Sequence, residues 1–150
     1  MIIEKVVIED MEAILNIQKE AYISQAAIYD DYTIHPLVET LEEALKDFEI
    51  KEIFKATVDG QIVGAIRVLL KEGTCHIGQL CIHPNFQGRG MGTQLLHKIE
   101  ETFKNYNRLE LFAGSKSLDN IRLYERLGYK KFKTAKYSDK ADIVYMEKYK

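Results

Sequence analysis

The stretch CIHPNFQGRGMGTQLL, residues 81–96, places glycines at 88, 90 and 92 between a β-rich run and a helical pattern. Glycine at such a junction removes side chains where the amides of a helix start are free to donate, and the helix dipole favours negative charge there. A phosphate or pyrophosphate is the natural guest, and a tight turn that simply requires glycine is the plainer alternative. The two best-known phosphate loops do not fit. A dinucleotide fingerprint would need glycine at Thr93 or Leu95, and a Walker loop would need a lysine where none lies between residues 86 and 97.

A second group follows in SLDNIRLYERLG, residues 117–128. Asn120 and Tyr124 stand one helical turn apart and so share a face. Alone, Asn120 reads as a helix cap and Tyr124 as core. The histidines His76 and His83 flank the apolar segment ahead of the glycines, and a lone strand histidine is more often structural than catalytic.

These residues must be positioned by a single domain, because 150 residues can bury roughly 70% of their unfolded surface in one core. A net charge of −2 argues against nucleic acid as a partner. Lys130, Lys131, Lys133 and Lys136 read as a solvated strand edge. Cys75 and Cys81 lie on one expected strand, about 20 Å apart at ~3.3 Å per residue, too far for a disulfide. Both read as buried small hydrophobes, and a reducing compartment follows. No signal-peptide pattern or long apolar run is present, so the expectation is a cytoplasmic protein with no membrane association.

The expected elements alternate. Residues 2–8 read as a strand, and Asp10 as the cap of a first helix bearing Met11, Ile14, Leu15, Gln18, Ala21 and Tyr22. The tyrosine-rich run from Ser24 to Pro36 reads as irregular. Thr40 with Glu43 forms a capping box for a second helix over 40–48. Asp59-Gly60 and a turn at 71–73 fold the next segments into a three-strand antiparallel meander. From Gly90 the pattern is helical, with Met91, Leu95, Leu96, Ile99 and Phe103 on one face. A strand over 108–113, a short helix closed by Gly128 and two final strands complete an α/β order with one crossover.

Gln87-Gly88-Arg89-Gly90-Met91-Gly92 matches the Gln/Arg-x-x-Gly-x-Gly/Ala signature of the GNAT superfamily of N-acetyltransferases, and GQLCIHPNF resembles the strand and Pro turn before it. SLDNIRLYERLGYKKF is similar to that family's second motif, about thirty residues downstream. The resemblance implies an α/β (α+β) GNAT-like fold: one mixed, mostly antiparallel sheet of about six or seven strands, about four flanking helices and a splay between strands 4 and 5. It also implies acetyl-CoA as co-substrate and no metal. Pyrophosphate would lie on the amides of Gln87, Gly88, Arg89, Gly90, Met91, Gly92 and Thr93. Pantetheine would pair with the Leu80, Cys81 and Ile82 backbone, where an amide near Ile82 would polarise the thioester carbonyl. Tyr124 would protonate the departing thiolate, and Asn120 would contact the cofactor.

An acceptor amine must lose a proton before it attacks, and the fourth strand offers no carboxylate for the task. His76, His83 and a water relay are therefore left open as the base, with Asp30, Asp31 and His35 as further candidates. The resemblance places acceptor recognition in the loop carrying Tyr22, Tyr29, Asp30, Asp31, Tyr32 and His35. Aromatic rings beside carboxylates suit a cationic amine, although wet tyrosines covering the core would look the same. The expectation is transfer of acetyl to a primary amine of a small molecule or peptide in a ternary complex. A non-catalytic acyl-CoA sensor is the alternative, and a nucleotide binder is disfavoured by the failed fingerprints. A homodimer is left open, since several members of the family pair and no feature of the terminal strands reads as an interface.

Overall fold

In a computed structural model covering residues 1–150, two tight turns organise the first half of the chain. Asp59-Gly60 (φ 50° and 77°) and Glu72-Gly73 (φ 49° and 80°) both take the left-handed geometry of two-residue hairpin turns. They join β2 (Glu52–Val58), β3 (Gln61–Lys71) and β4 (Thr74–Ile82) into the expected antiparallel meander. A shorter β1 (Ile2–Lys5) extends it. After the crossover helix α4 (Met91–Thr102), β5 (Arg108–Gly114) returns parallel to β4. α5 (Leu118–Arg126) then leads into the β6 (Lys130–Ser138) and β7 (Ala141–Tyr149) hairpin. The seven strands run β1-β2-β3-β4-β5-β7-β6, and every neighbouring pair except β4–β5 is antiparallel.

Helices cover both faces. Leu95, Leu96 and Ile99 of α4 and Ile121 and Tyr124 of α5 pack with Val68, Ile77, Leu109, Leu111 and Met146 of the sheet. On the opposite face, Met11, Ile14 and Ala21 of α1 (Met11–Tyr29) and Ala44 of α3 (Leu41–Ile50) pack on Ile53, Ala65 and Cys81. Thr40 and Glu43 exchange the bonds of a capping box at the start of α3. A one-turn α2 (His35–Val38) brings the helices to five. No helix is long and apolar enough to cross a membrane.

Two local expectations are corrected. α1 does not stop near Ser24 but continues to Tyr29, because Ala26 and Ala27 favour helix and Ala26 and Tyr29 are buried. Asp30 then ends it in the left-handed conformation at φ 49°. Asp10 does not cap α1. Its carboxylate instead accepts the Val7 N–H at 2.9 Å and the Lys55 ammonium at 2.7 Å, closing the 3-10 turn that precedes the helix. Cys75 and Cys81 are both buried as expected, yet they belong to cores on opposite faces of the sheet. A bulge separates them: the register passes from Ala65↔Cys81 to Arg67↔Gly78, and Gln79 takes φ 44°. One extra residue in a strand reverses its alternation and bends it.

Candidate active site

β4 and β5 are registered only over Thr74–His76 and Arg108–Glu110. Beyond that rung the strands part, and a cavity of about 980 Å³ runs through the gap. The division follows from the elements on either side. The Gln79 bulge bends β4 away, while β5 is held to β7 along its whole length from Arg108 to Gly114. A splay leaves backbone groups of both strands without their usual partners, and buried groups of that kind need a ligand or water.

Ile82 shows which groups are free. His83 N–H donates to Val63 O at 2.8 Å, so by antiparallel alternation Ile82, opposite Gly64, turns its own N–H and C=O away from β3. The Ile82 carbonyl accepts Gln87 Nε2 at 2.9 Å, which leaves the N–H as a donor facing the gap. The Leu80 carbonyl is taken by the Tyr22 hydroxyl at 3.0 Å. Gln87, the first residue of the glycine motif, thus ties the loop to the strand end.

The loop continues into α4 with Gly88 at φ 76° and Gly90 at φ 79° as its N-cap. No side chain caps this helix, and the N–H groups of Gly90, Met91, Gly92 and Thr93 donate to no protein acceptor. A Cβ at Gly88 or Gly90 would meet nothing within 4 Å, so the space above the loop is open. Uncapped amides converging on open space at a twelve-residue helix fit a diphosphate well. Arg89 stacks over the Phe86 ring at 5.0 Å and does not line the cavity.

Tyr124, from the middle of α5, lines the cavity with Asn120 one turn earlier. The Tyr124 ring is buried edge-on against Tyr129, and its hydroxyl has no protein partner. Burial pushes its phenol up to about 12. The Cys81 thiol, in the core on the opposite face of the sheet, is also pushed up to about 12, chiefly by burial.

The remaining sequence candidates separate clearly. Tyr22 and Tyr29 line the cavity, but their hydroxyls are engaged. Tyr29 Oη lies 2.8 Å from Ser117 Oγ and accepts the Lys116 N–H at 3.0 Å. Asp30 and Tyr32 lie outside the cavity, with the Asp30 carbonyl accepting Lys140 Nζ at 2.7 Å. His83 Nδ1 accepts the Asn85 N–H in the turn at Pro84 and its Nε2 sits 2.9 Å from Glu20 of α1, so both nitrogens are engaged. His76 faces the cavity beside Glu110 of β5, a residue that sequence reading passed over. Its only sequence signal was the polar place of Glu110 in the alternating strand RLELFA.

Residues 18–150 match the family described as the Acetyltransferase (GNAT) domain. The chain is 27% identical over 158 residues to an uncharacterized N-acetyltransferase of Methanocaldococcus jannaschii, covering 100% of this chain and 92% of that protein. Among solved structures, the PaiA N-acetyltransferase of Thermoplasma acidophilum in complex with coenzyme A superposes with a TM-score of 0.81 at 19% identity, over 100% of both chains. The ribosomal-protein-S18-alanine N-acetyltransferase of Escherichia coli gives 0.82 at 16% identity, over 99% of this chain and 92% of the other. Strand order, splay, uncapped glycine loop and family match agree: the chain belongs to the GNAT acetyltransferase family and is an acetyl-CoA-dependent N-acetyltransferase.

Proposed function

We propose that the protein transfers acetyl from acetyl-CoA to a primary amine of a small molecule or peptide, with both substrates bound together. The observation that carries this reading is the continuity of one cavity, lined by the glycine loop, the Leu80–Ile82 segment, Tyr124 and the far mouth around His35 and Tyr137. Amides of Gln87 to Thr93 hold the diphosphate, and the Leu80, Cys81 and Ile82 segment receives the pantetheine arm through the unpaired Ile82 N–H. When bound, acetyl-CoA supplies an activated acyl group on a thiol leaving group.

The chain's own groups then divide the work. The Ile82 N–H directed into the gap stabilises negative charge on the acyl oxygen, a contribution of ~3–4 kcal/mol for a well-placed donor. Tyr124 Oη passes its proton to the leaving sulfur. The raised phenol keeps Tyr124 protonated at neutral pH, so that its proton is available to the departing thiolate. Asn120 borders the cofactor side of the cavity. The amine enters from the opposite mouth, where the Phe112 and Tyr145 rings lie tilted at 50° with centroids 5.7 Å apart. Lys133 already covers a face of Tyr145 at 4.4 Å, so the half-exposed Phe112 is the ring left to meet a cation.

The test is acetyl-CoA-dependent thiol release over a panel of small primary amines, polyamines and peptides with free N-termini or lysines. Amine-dependent release with a matching acetylated product supports the reading. Binding of acetyl-CoA with background hydrolysis only, across the whole panel, would contradict it.

A further inference from the structure

The end of α1 is bonded to both sides of the splay. Tyr22 reaches the β4 side, where its hydroxyl donates to the Leu80 carbonyl at 3.0 Å. Tyr29, seven residues on and so on the same face of the helix, reaches the β5 side at the turn into α5. There the Tyr29 hydroxyl accepts the Lys116 N–H at 3.0 Å and lies 2.8 Å from Ser117 Oγ. Ser117 Oγ in turn donates to Gln25 Oε1 of α1 at 2.6 Å. A serine hydroxyl has one proton, so with that proton on Gln25 the Tyr29 hydroxyl is the donor to Ser117.

Two features show that the turn is built around this contact. Ser117 is the N-cap residue of α5, yet its side chain makes no capping bond. Serine at that place ordinarily accepts an N–H of its own helix, whereas here the buried hydroxyl is turned to α1. Gly114, the last residue of β5, makes room for the ring, because a Cβ there would overlap the Tyr29 hydroxyl.

Ser117 leads into the face of α5 that borders the cavity. Asn120 and Tyr124 follow it at three and seven residues, one above the other along the helix. The Tyr124 hydroxyl bonds to no protein atom, so its place is set by the helix that carries it and by packing against Tyr129. Ser115 N–H donates to the Asp142 carbonyl at 2.9 Å and ties the same turn to β7, but that bond stays on one side of the splay. The bonds of Tyr29 cross it.

We propose that Tyr29 is a positioning residue for Tyr124: bonded to Lys116 and Ser117, it fixes the first turn of α5 against the end of α1 and so places the Tyr124 phenol at the leaving sulfur. The inference rests on the N-acetyltransferase reading, in which Tyr124 is the proton donor. The two groups that reading assigns to the reaction stand on opposite sides of the gap, the Ile82 N–H on β4 and the Tyr124 hydroxyl on α5. With Tyr22 on one side and Tyr29 on the other, the end of α1 is a crossbar that sets their separation.

The experiment measures the single-turnover rate of acetyl transfer to the best amine of the panel, the KM for that amine and calorimetric CoA affinity. Wild type, Tyr29→Phe and Ser117→Ala are each compared with and without Tyr124→Phe. Ser117→Ala cuts the link from its other end and removes no cap, since Ser117 makes no capping bond. Each single variant is expected to slow transfer by about tenfold or more, because misplacing a reacting group by ~1 Å can cost on the order of 100-fold. CoA affinity and amine KM stay within about twofold of wild type, as for a loss confined to the transition state. In the Tyr124→Phe background neither substitution slows transfer further, because the group they position is gone.

Equal losses in both backgrounds, or a matching fall in CoA affinity, would overturn the assignment in favour of a general structural role. A raised amine KM at an unchanged rate would overturn it in favour of an acceptor contact, and wild-type values throughout would overturn it outright. Each of these leaves the transferase reading intact. Absence of amine-dependent release from the wild type would remove both.

Discussion

The hydroxyl of Tyr22 donates to the carbonyl of Leu80 at 3.0 Å, tying the middle of α1 to the strand that borders the splay. Tyr22 is thereby a support for the strand proposed to receive pantetheine, although it lies in the region expected to read the acceptor. Tyr22→Phe leaves a buried carbonyl without its donor, which typically costs about 1–3 kcal/mol. Denaturant melts should show that loss, with a raised KM for acetyl-CoA and an unchanged KM for the amine. A raised amine KM at full stability would make Tyr22 an acceptor contact instead.

Gly64 faces the same strand from β3. A Cβ there would lie 2.8 Å from Ile82 Cδ1 and 3.0 Å from the Cys81 carbonyl, and the latter is backbone that cannot swing aside. Gly64→Ala should destabilise by roughly 1–3 kcal/mol through overpacking and weaken CoA binding, because the strand displaced is the one proposed to receive pantetheine. Calorimetry on the folded variant checks this. Unchanged affinity would mean that the edge of β4 does not bear on the cofactor.

The strap between α1 and α3 is held from inside by a buried polar cluster. Arg67 Nη1 donates to Glu39 at 2.7 Å and to Asp47 at 2.9 Å, and Gln18 Nε2 donates to both Glu39 and the Pro36 carbonyl. Arg67 and Glu39 are each only 1% exposed. Arg67→Met strands a buried carboxylate and should destabilise by about 3–5 kcal/mol. A melt within 1 kcal/mol of wild type would show that the cluster contributes little.

Stability should fall in alkali. Tyr22, Tyr124, Tyr129 and Cys81 all have folded values raised, mainly by burial, with the charge of Glu100 adding to Tyr129. Groups that hold their protons more tightly when folded contribute stability that is complete below their unfolded values. That contribution is lost as pH rises beyond about 9 for the thiol and 10 for the phenols. Each such group adds a slope of about 1.4 kcal/mol per pH unit in its window. Tyr129→Phe should therefore flatten the decline measured between pH 10 and 12. An unaltered slope would contradict the assignment.

The parts legible in the sequence were those set by local backbone chemistry. Asp59-Gly60 and Gly88-x-Gly90 announce positive φ in glycine itself, and Thr40 with Glu43 announces its cap. The Gln79 bulge was hidden, since glutamine carries no preference for φ 44°, and with it the opposite facing of Cys75 and Cys81. The His76–Glu110 pair was hidden for a different reason. Parallel register between β4 and β5 is set by how α4 packs across the sheet, and no pattern within either strand encodes it. The bond of the Tyr29 hydroxyl to Ser117 was hidden because the packing of Tyr29 against Gly114 depends on the length of α1.

The central claim is that the chemistry occurs at the splay with Tyr124 serving the leaving sulfur. Rapid-quench single turnovers of Tyr124→Phe, with acetyl-CoA affinity measured in parallel, test it most directly. The account predicts a chemical step slowed by about 10²-fold or more, within the usual range for a general acid, and affinity within about twofold of wild type. A chemical step as fast as that of the wild type would contradict it.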